Sequence, residues 1–165
     1  MPATLPVPIE FRLPEGWLPA KPNAGASDEV AFAAVHPYPD AGFAANITID
    51  GVIPTEADTL AVLADESVER LRHIAASVEV TQRREVGPAD SPALTQHVAL
   101  TADAGDAHRD LIQSQVYLCL QDVADPHKRA VIQLTLTSTA AQHDLVLAEF
   151  QEFVRTLRPA SGAGA

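Results

Sequence analysis

Two apolar-rich segments, LIQSQVYLCL at residues 111–120 and VIQLTL at residues 131–136, are separated by the polar run DVADPH at residues 122–127. In the second segment apolar and polar side chains alternate from Ile132 to Thr137, which is the period of a strand with one buried face. A connection this short joins antiparallel neighbours, because parallel neighbours need a crossover of about a dozen residues or more. The two apolar-rich segments and the polar run between them therefore predict an antiparallel hairpin.

The sequence before this hairpin predicts two further strands. Leu94, Val98 and Leu100 mark a strand, and a turn at residues 103–106 leads from it into the first segment of the hairpin. An earlier strand over residues 78–86 is rich in polar side chains, which is typical of the edge of a sheet. Glycine and prolines between these two strands supply the turn. The four strands together predict an antiparallel meander.

The N-terminal third predicts three more strands, over residues 7–12, 30–34 and 43–49, in which apolar residues recur at every second position. Pro14-Glu15-Gly16-Trp17 has the chemistry of a turn and ends the first strand. We expect a loop over residues 19–28. The proline-rich turn HPYPDAG at residues 36–42 makes the second and third strands a predicted hairpin.

Two segments have the period of an amphipathic helix. The first begins near Pro54, where Thr55 and Asp58 resemble a capping box, and its apolar side runs from Leu60 to Ile74. The second begins near Ser138-Thr139, both good capping residues. Its inward-facing residues run from Val146 to Leu157, and Pro159 ends it.

The element order predicts an α+β fold: a single antiparallel sheet of about six to seven strands flanked by two long helices, one on each face, in an α/β/α sandwich. Residues 1–159 are expected to form one domain, and residues 160–165 a disordered tail.

Composition excludes some classes of function. Acidic residues number 22 against 11 basic ones, a net charge of −11, which opposes binding to nucleic acid or to anionic membrane surfaces. Cys119 is the single cysteine, so no intrachain disulfide is expected. No signal segment or long apolar run is apparent, which predicts a cytoplasmic protein. Nine arginines against two lysines suggest a bacterial source with a high-GC genome.

Few residues form a pattern typical of chemistry. Cys119 lies among apolar residues, where burial would raise the pKa of its thiol and keep it unreactive. Asp106, His108 and Asp110 could point to one side of a strand and hold a divalent ion. They also fit turn residues beside a strand, with Asp forming Asx turns, and we favour that interpretation. We therefore expect no catalytic residue, no metal and no cofactor.

Four residues with ring side chains are the candidates for contact with a partner: Trp17, His36, Tyr38 and Phe43. Trp17 follows a turn and could either close one end of the core or take part in recognition. Tyr38 stands between two prolines, on a segment whose ordering entropy is already low, which favours recognition. If the aromatic side chains cluster at the surface, they form an anchor patch.

Four features together resemble the Mog1/PsbP-like fold, and within it the bacterial LpqN and DUF1795-type proteins. They are Phe11-Arg12-Leu13-Pro14-Glu15-Gly16-Trp17, the strand Gly42-Phe43-Ala44-Ala45-Asn46-Ile47, the long middle helix, and the meander before a final helix. Known members serve largely as binding proteins, including a small-GTPase regulator, photosystem accessory subunits, lipoproteins and secretion-effector chaperones. The resemblance implies a non-catalytic role. Lipoprotein members carry a lipidated cysteine after a signal, a pattern that this sequence does not show.

Three functions remain open. The first is a binding or adaptor domain that engages a protein partner, with a homodimer as one form of it. The second is a carrier of a small apolar ligand in a pocket between sheet and helix. The third, which we rank last, is a hydrolase-type enzyme in which His97 or His108 would meet Asp106 and Asp110 in one cleft.

Overall fold

The computed structural model describes residues 9–20, 30–40, 43–54, 59–87, 92–104, 107–121 and 129–159. In these ranges the elements are, in chain order, β1 (Ile9–Glu10), β2 (Leu18–Ala20), β3 (Val30–Val35), β4 (Asn46–Val52), α1 (Leu60–Ile74), β5 (Ser77–Val86), β6 (Ala93–Ala104), β7 (Ala107–Gln121), β8 (Arg129–Thr139), α2 (His143–Thr156) and β9 (Arg158–Pro159).

Seven strands form one antiparallel sheet in the order β2-β3-β4-β8-β7-β6-β5. The meander β5-β6-β7-β8 and the hairpin β3-β4 are paired as the sequence predicts. β4 pairs with β8 and so joins the two halves of the chain, with Ile47 opposite Leu136 and Ile49 opposite Leu134. The α+β class and the antiparallel sheet are therefore confirmed.

Burial along the strands follows their place in the sheet. β8 lies in the middle of the order, and both its apolar face and Thr135 on its other face are buried. β5 lies at one edge, and its side chains from Thr81 to Val86 are all exposed. The polar character of β5 thus has a physical reason, because charged side chains on an edge strand discourage pairing with another chain.

α1 covers one face of the sheet. Its buried residues Ala64, Val68 and Leu71 pack against β5, β6 and β7, where Leu94 and Val98 are fully buried. The helix begins later than predicted, because its N-cap is Thr59, whose hydroxyl accepts a hydrogen bond from the backbone N–H of Val62. Residues 55–58, which include the predicted cap Thr55 and Asp58, lie outside the described residues.

α2 covers the opposite face. Its buried residues Val146, Phe150 and Phe153 form one apolar cluster with the inward side chains of β4 and β8. The predicted start at Ser138-Thr139 is wrong, because both residues belong to β8 and the helix begins at His143. The helices have 15 and 14 residues, so the expectation of two long helices holds only in part.

Two predictions for the N-terminal strands are corrected. The first strand does not join the main sheet, since β1 pairs with β9 in a separate two-stranded sheet, and the guanidinium of Arg158 donates to the carboxylate of Glu10. The main sheet instead gains β2, of which Pro19 and Ala20 fall in the predicted loop. β2 ends the strand order, and a proline is tolerated on such an edge strand because no ladder hydrogen bond is lost there.

The structure does not test the remaining predictions for the loops and the C-terminal tail. Residues 21–29, 122–128 and the predicted tail at 160–165 lie outside the described residues. Within the part of the chain that the structure describes, neither helix is both long enough and apolar enough to cross a bilayer.

Candidate functional site

The turn after β3 fixes the backbone of Tyr38 and leaves its side chain free. Nδ1 of His36 lies 3.1 Å from the backbone nitrogen and 3.2 Å from the carbonyl oxygen of Tyr38, so the ring holds this turn. The side-chain amide of Gln142 donates to the carbonyl oxygen of Tyr38 at 3.1 Å. Pro37 and Pro39 restrict φ on either side. The phenol ring, 75% exposed, is therefore presented on a held backbone.

Trp17 and His36 form the support beneath this turn. Trp17 is 5% exposed and His36 is buried, and their rings meet edge to face at 5.2 Å between centroids. The indole N–H of Trp17 donates to the carboxylate of Glu149 on α2, and Nε2 of His36 lies 4.0 Å from the same carboxylate. The ring of His36 also contacts the ring of Tyr38 at 5.9 Å. Trp17 thus closes the core, and three of the four candidate residues stand together.

One more apolar side chain is exposed on this side of the sheet, since Leu145 on α2 is 63% exposed. Leu18 is also exposed, but its partner Val35 follows Ala34 of the α2 cluster, so Leu18 lies on the face of the sheet away from α2. Leu145 lies between Gln142 and Glu149 at helical spacing, so the three share one side of α2. We call the exposed side chains of Tyr38 and Leu145 the Tyr38 surface.

Phe43 lies apart from the ring contacts of this cluster. It exchanges both backbone hydrogen bonds with Asp40, each 2.9 Å long. Its half-buried ring is covered by the guanidinium of Arg109, 5.6 Å from the ring centroid. This cation–π contact gives Phe43 a structural role at the end of the hairpin.

A groove of about 510 Å³ lies along the other side of α2. It forms because α2 packs over β8, which leaves β5, β6 and β7 open on that face beside the helix. Its floor includes Val116 and Leu118, and its wall includes Leu147 and Val154. Its volume is within the range of small-molecule sites.

A chain of hydrogen bonds connects one end of this groove to the start of α2. Ser114 Oγ lies 2.8 Å from Nδ1 of His97 and 3.2 Å from Nε2 of His143, whose Nδ1 lies 3.0 Å from Ser138 Oγ. Each neutral imidazole and each hydroxyl can donate one hydrogen and accept another, so every link can be satisfied. Burial lowers the pKa of His97, and burial followed by the proximity of His97 lowers the pKa of His143.

This arrangement suits a structural connection better than nucleophilic catalysis. Ser114 is buried, and the chain ends at the neutral hydroxyl of Ser138 instead of at a carboxylate. Two carboxylates, Asp106 and Asp110, are candidates for an enzyme, and Asp106 lies outside the described residues. Asp110 does not meet His97, because Asp110 pairs with Thr101 and His97 with Ser114, which places them roughly 13 Å apart along the strands. This chain of hydrogen bonds therefore fixes the first turn of α2 against β6, β7 and β8.

A smaller polar pocket of about 230 Å³ lies beside α1, between that helix and strands β4 and β8. Arg70 and Gln133 line it, together with the buried Tyr117. The hydroxyl of Tyr117 donates to Oε1 of Gln115 at 2.8 Å. Burial raises the pKa of Tyr117 to about 12, so the phenol is a donor at neutral pH.

Of the candidate metal ligands Asp106, His108 and Asp110, the structure describes the side chain of Asp110 alone. Among the residues that the structure describes, no three His, Cys, Asp or Glu side chains are placed to hold a metal ion. Asp106 and the side chain of His108 lie outside the described part. Asp110 is exposed and accepts a hydrogen bond from the hydroxyl of Thr101 at 3.2 Å. The thiol of Cys119 is half-buried, and burial raises its pKa.

No protein-family model and no curated protein matches this chain, but solved structures do. The yeast Ran-binding protein Mog1p superposes with a TM-score of 0.62 at 15% identity, over 94% of this chain and 92% of that chain. CyanoP, the cyanobacterial PsbP of Synechocystis sp. PCC 6803, gives 0.61 at 16% identity over 92% and 86%.

LpqN of Mycobacterium tuberculosis, which is involved in cell envelope biogenesis, gives a TM-score of 0.60 at 11% identity over 91% of this chain and 82% of that chain. The chain has the Mog1/PsbP-like fold. The resemblance seen in the sequence is thereby confirmed. At these identities the likeness concerns the Mog1/PsbP-like fold alone, and the function must be argued from the residues of this chain.

The sequence suggests a pocket between sheet and helix, but it does not place the pocket beside α2 and gives no sign of the hydrogen-bond chain at its end. His97 and His143 are far apart in the sequence, yet their rings meet at 5.9 Å. Alternation along a strand assigns His97 and Ser114 each to one face of its own strand, but it does not show that the two are partners, which follows from the pairing of β6 with β7. The register of that pairing became visible only in three dimensions.

Proposed function

We propose that this Mog1/PsbP-like domain is a non-catalytic binding or accessory domain that engages a protein partner through the Tyr38 surface. The observation that carries the proposal is the geometry of Tyr38, an exposed ring on a backbone held by His36 and Gln142. A backbone held in this way has little entropy left to lose on binding. Tyrosine is also among the residues that most often dominate the energy of an interface.

The buried support strengthens the proposal. Trp17, His36 and Glu149 pack directly behind the turn, so the surface is anchored to α2. Leu145, on the same side of α2 as Gln142 and Glu149, adds exposed apolar area. An aromatic side chain with an apolar neighbour is the composition expected at the middle of an interface.

The structural neighbours support protein binding only in general terms. Mog1p is described as a Ran-binding protein, which shows that the fold can present a surface to another protein. The net charge of −11 supports a protein partner over nucleic acid or an anionic membrane surface. The cytoplasmic location remains a prediction, which cell fractionation would test.

Affinity purification from native cells tests the proposal, with three forms of the tagged protein compared by quantitative mass spectrometry. Wild type should retain a partner that Y38A loses. I74A is the matched control, because Ile74 on α1 is 79% exposed and lies at the other helix. A partner retained equally by Y38A and wild type would contradict the proposal.

A second copy of the chain is one form that the partner could take. Sedimentation of the purified protein distinguishes this form, because a homodimer built on the Tyr38 surface would dissociate in Y38A and persist in I74A. A monomer at all concentrations would leave a different protein as the partner.

Carriage of a small ligand is a second candidate function, favoured by the groove beside α2. Its volume of about 510 Å³ and its apolar floor match the usual properties of a ligand site. The two functions use opposite sides of α2 and do not exclude each other.

A further inference from the structure

The groove beside α2 has a definite length and two different ends. From Ala93 to His97 its floor extends roughly 13 Å, and from Leu147 to Arg155 its wall extends about 12 Å. His97 and Ser114 stand at the end near the start of α2, and Arg155 stands at the other. Between these ends the lining is mainly apolar, with Val116, Leu118, Leu147 and Val154, and includes the polar residues Thr95 and Gln151.

The charge of the groove differs from that of the molecule. The chain carries 22 acidic and 11 basic residues, yet the charged side chain that lines the groove is Arg155. Arg84 is a second cation on this face, because it is paired across the strands with Thr95 of the floor. The carboxylate of Glu152 forms an ion pair with the guanidinium of Arg155 at 2.8 Å. Because this pair is exposed, an incoming anion can take the place of Glu152 at little cost.

The end of the groove at His97 and Ser114 carries no charge. Nδ1 of His97 is engaged by Ser114, and Ser114 is engaged in turn by His143. This end therefore offers polar contact without attracting an ion. The polarity of the groove, from a neutral end to a cationic end, gives a ligand one preferred direction.

We propose that the groove binds an amphipathic small molecule with an unbranched apolar body and an anionic head group, the body lying on Val116 and Leu118 and the head facing Arg155. The inference rests on the second candidate function and is independent of the Tyr38 surface. The volume of about 510 Å³ suits a ligand of this size.

Three probes whose chains have ten carbon atoms, the carboxyl carbon included, separate the role of the head from that of the body: decanoate, 1-decanol and decyltrimethylammonium. Isothermal titration of the full chain should give a Kd for decanoate below about 1 mM. Decanol should bind up to about fivefold more weakly, the value of an exposed charge pair, and the cation more weakly still. Amide shifts in NMR spectra of the wild-type protein should map to β6, β7 and the last two turns of α2.

Two matched pairs of variants locate the site. V154W fills the groove and should abolish decanoate binding, while V62W makes the same change on exposed α1 and should not. R155Q should weaken decanoate binding up to about fivefold and leave decanol unchanged. R72Q is its control, because Arg72 forms the same exposed pair with Glu69 on α1 that Arg155 forms with Glu152 on α2.

The outcomes separate the parts of the inference. Binding of none of the probes, or amide shifts mapped away from the groove, would overturn the site. Equal binding of decanoate and decanol, unaffected by R155Q, would overturn the anionic class and leave ligand carriage standing. The NMR map of the wild type decides the location even where V154W does not fold. Y38A should bind decanoate as wild type does, so a failure of the protein-partner proposal would not be mistaken for a failure here.

Discussion

Glu149 supports the Tyr38 surface through a single carboxylate. It accepts the hydrogen bond of the buried indole of Trp17 and lies beside His36. Leaving a buried N–H without an acceptor costs about 1–3 kcal/mol, so E149A should lower the free energy of unfolding by about that amount in urea denaturation. E152A, on the same helix with an exposed partner, should change it by less than about 1 kcal/mol. Equal effects of the two variants would contradict this role of Glu149.

His97 and His143 should make stability depend on pH. Both have a pKa lowered from the ordinary value of 6.5, mainly by burial. As the pH falls below that value, the unfolded chain takes up protons that the folded chain refuses, so the free energy of unfolding decreases. The stabilisation is fully present above this range and is lost progressively on acidification through the lowered pKa of each ring.

Urea denaturation at a series of pH values between about 7.5 and 5 measures this effect. This window lies above the pH range in which most carboxylates titrate. H97Q and H143Q should each flatten the dependence. H73Q, which removes an exposed imidazole from α1, should retain the wild-type slope. An unchanged slope in both H97Q and H143Q would show that the two rings are not the source.

At the scale of the elements, the start of α1 gives a direct test. The hydroxyl of Thr59 caps the helix by accepting from the N–H of Val62 at 3.1 Å. T59A should cost about 1 kcal/mol of stability in urea denaturation, because the loss of an N-cap hydroxyl typically costs that much. T59S keeps the hydroxyl and should stay close to wild type. Similar losses in T59A and T59S would place the helix start elsewhere.

The strands of the meander could be predicted because each carries its own pattern. β8 alternates apolar and polar side chains, β6 carries Leu94, Val98 and Leu100, and β7 is rich in apolar residues. Short turns connect the three strands, so the local signal and the tertiary pairing agree. β2 could not be predicted, because it has three residues and contains Pro19. Its identity comes from pairing with β3, a tertiary effect that the local sequence does not carry.

The start of α2 shows a second limit of local signals. Ser138 and Thr139 have the chemistry of helix caps, yet both continue β8. Thr139 instead accepts from the backbone N–H of Gln142 at 3.2 Å and closes the turn that precedes the helix. The Thr139 hydroxyl, which the sequence predicts to cap the helix, therefore closes the turn before it, because the pairing of β8 with β7 extends to Thr139.

At the scale of the whole molecule, α2 separates two surfaces. One side of the helix, with Gln142 and Glu149, holds the turn of Tyr38. The other side, with Leu147 and Val154, forms the wall of the groove. Tyr38 could be singled out from sequence, because its two flanking prolines are a local signal. The groove could not, because it depends on where α2 lies across the sheet.

The dissociation constant of the captured partner, measured for purified wild type, Y38A and I74A, tests the central claim most directly. If the Tyr38 surface is the binding site, Y38A should weaken binding by about 2 kcal/mol or more, roughly thirtyfold. I74A should stay within about twofold of wild type, since scattered exposed apolar residues contribute little. Equal affinities of wild type and Y38A would contradict the account.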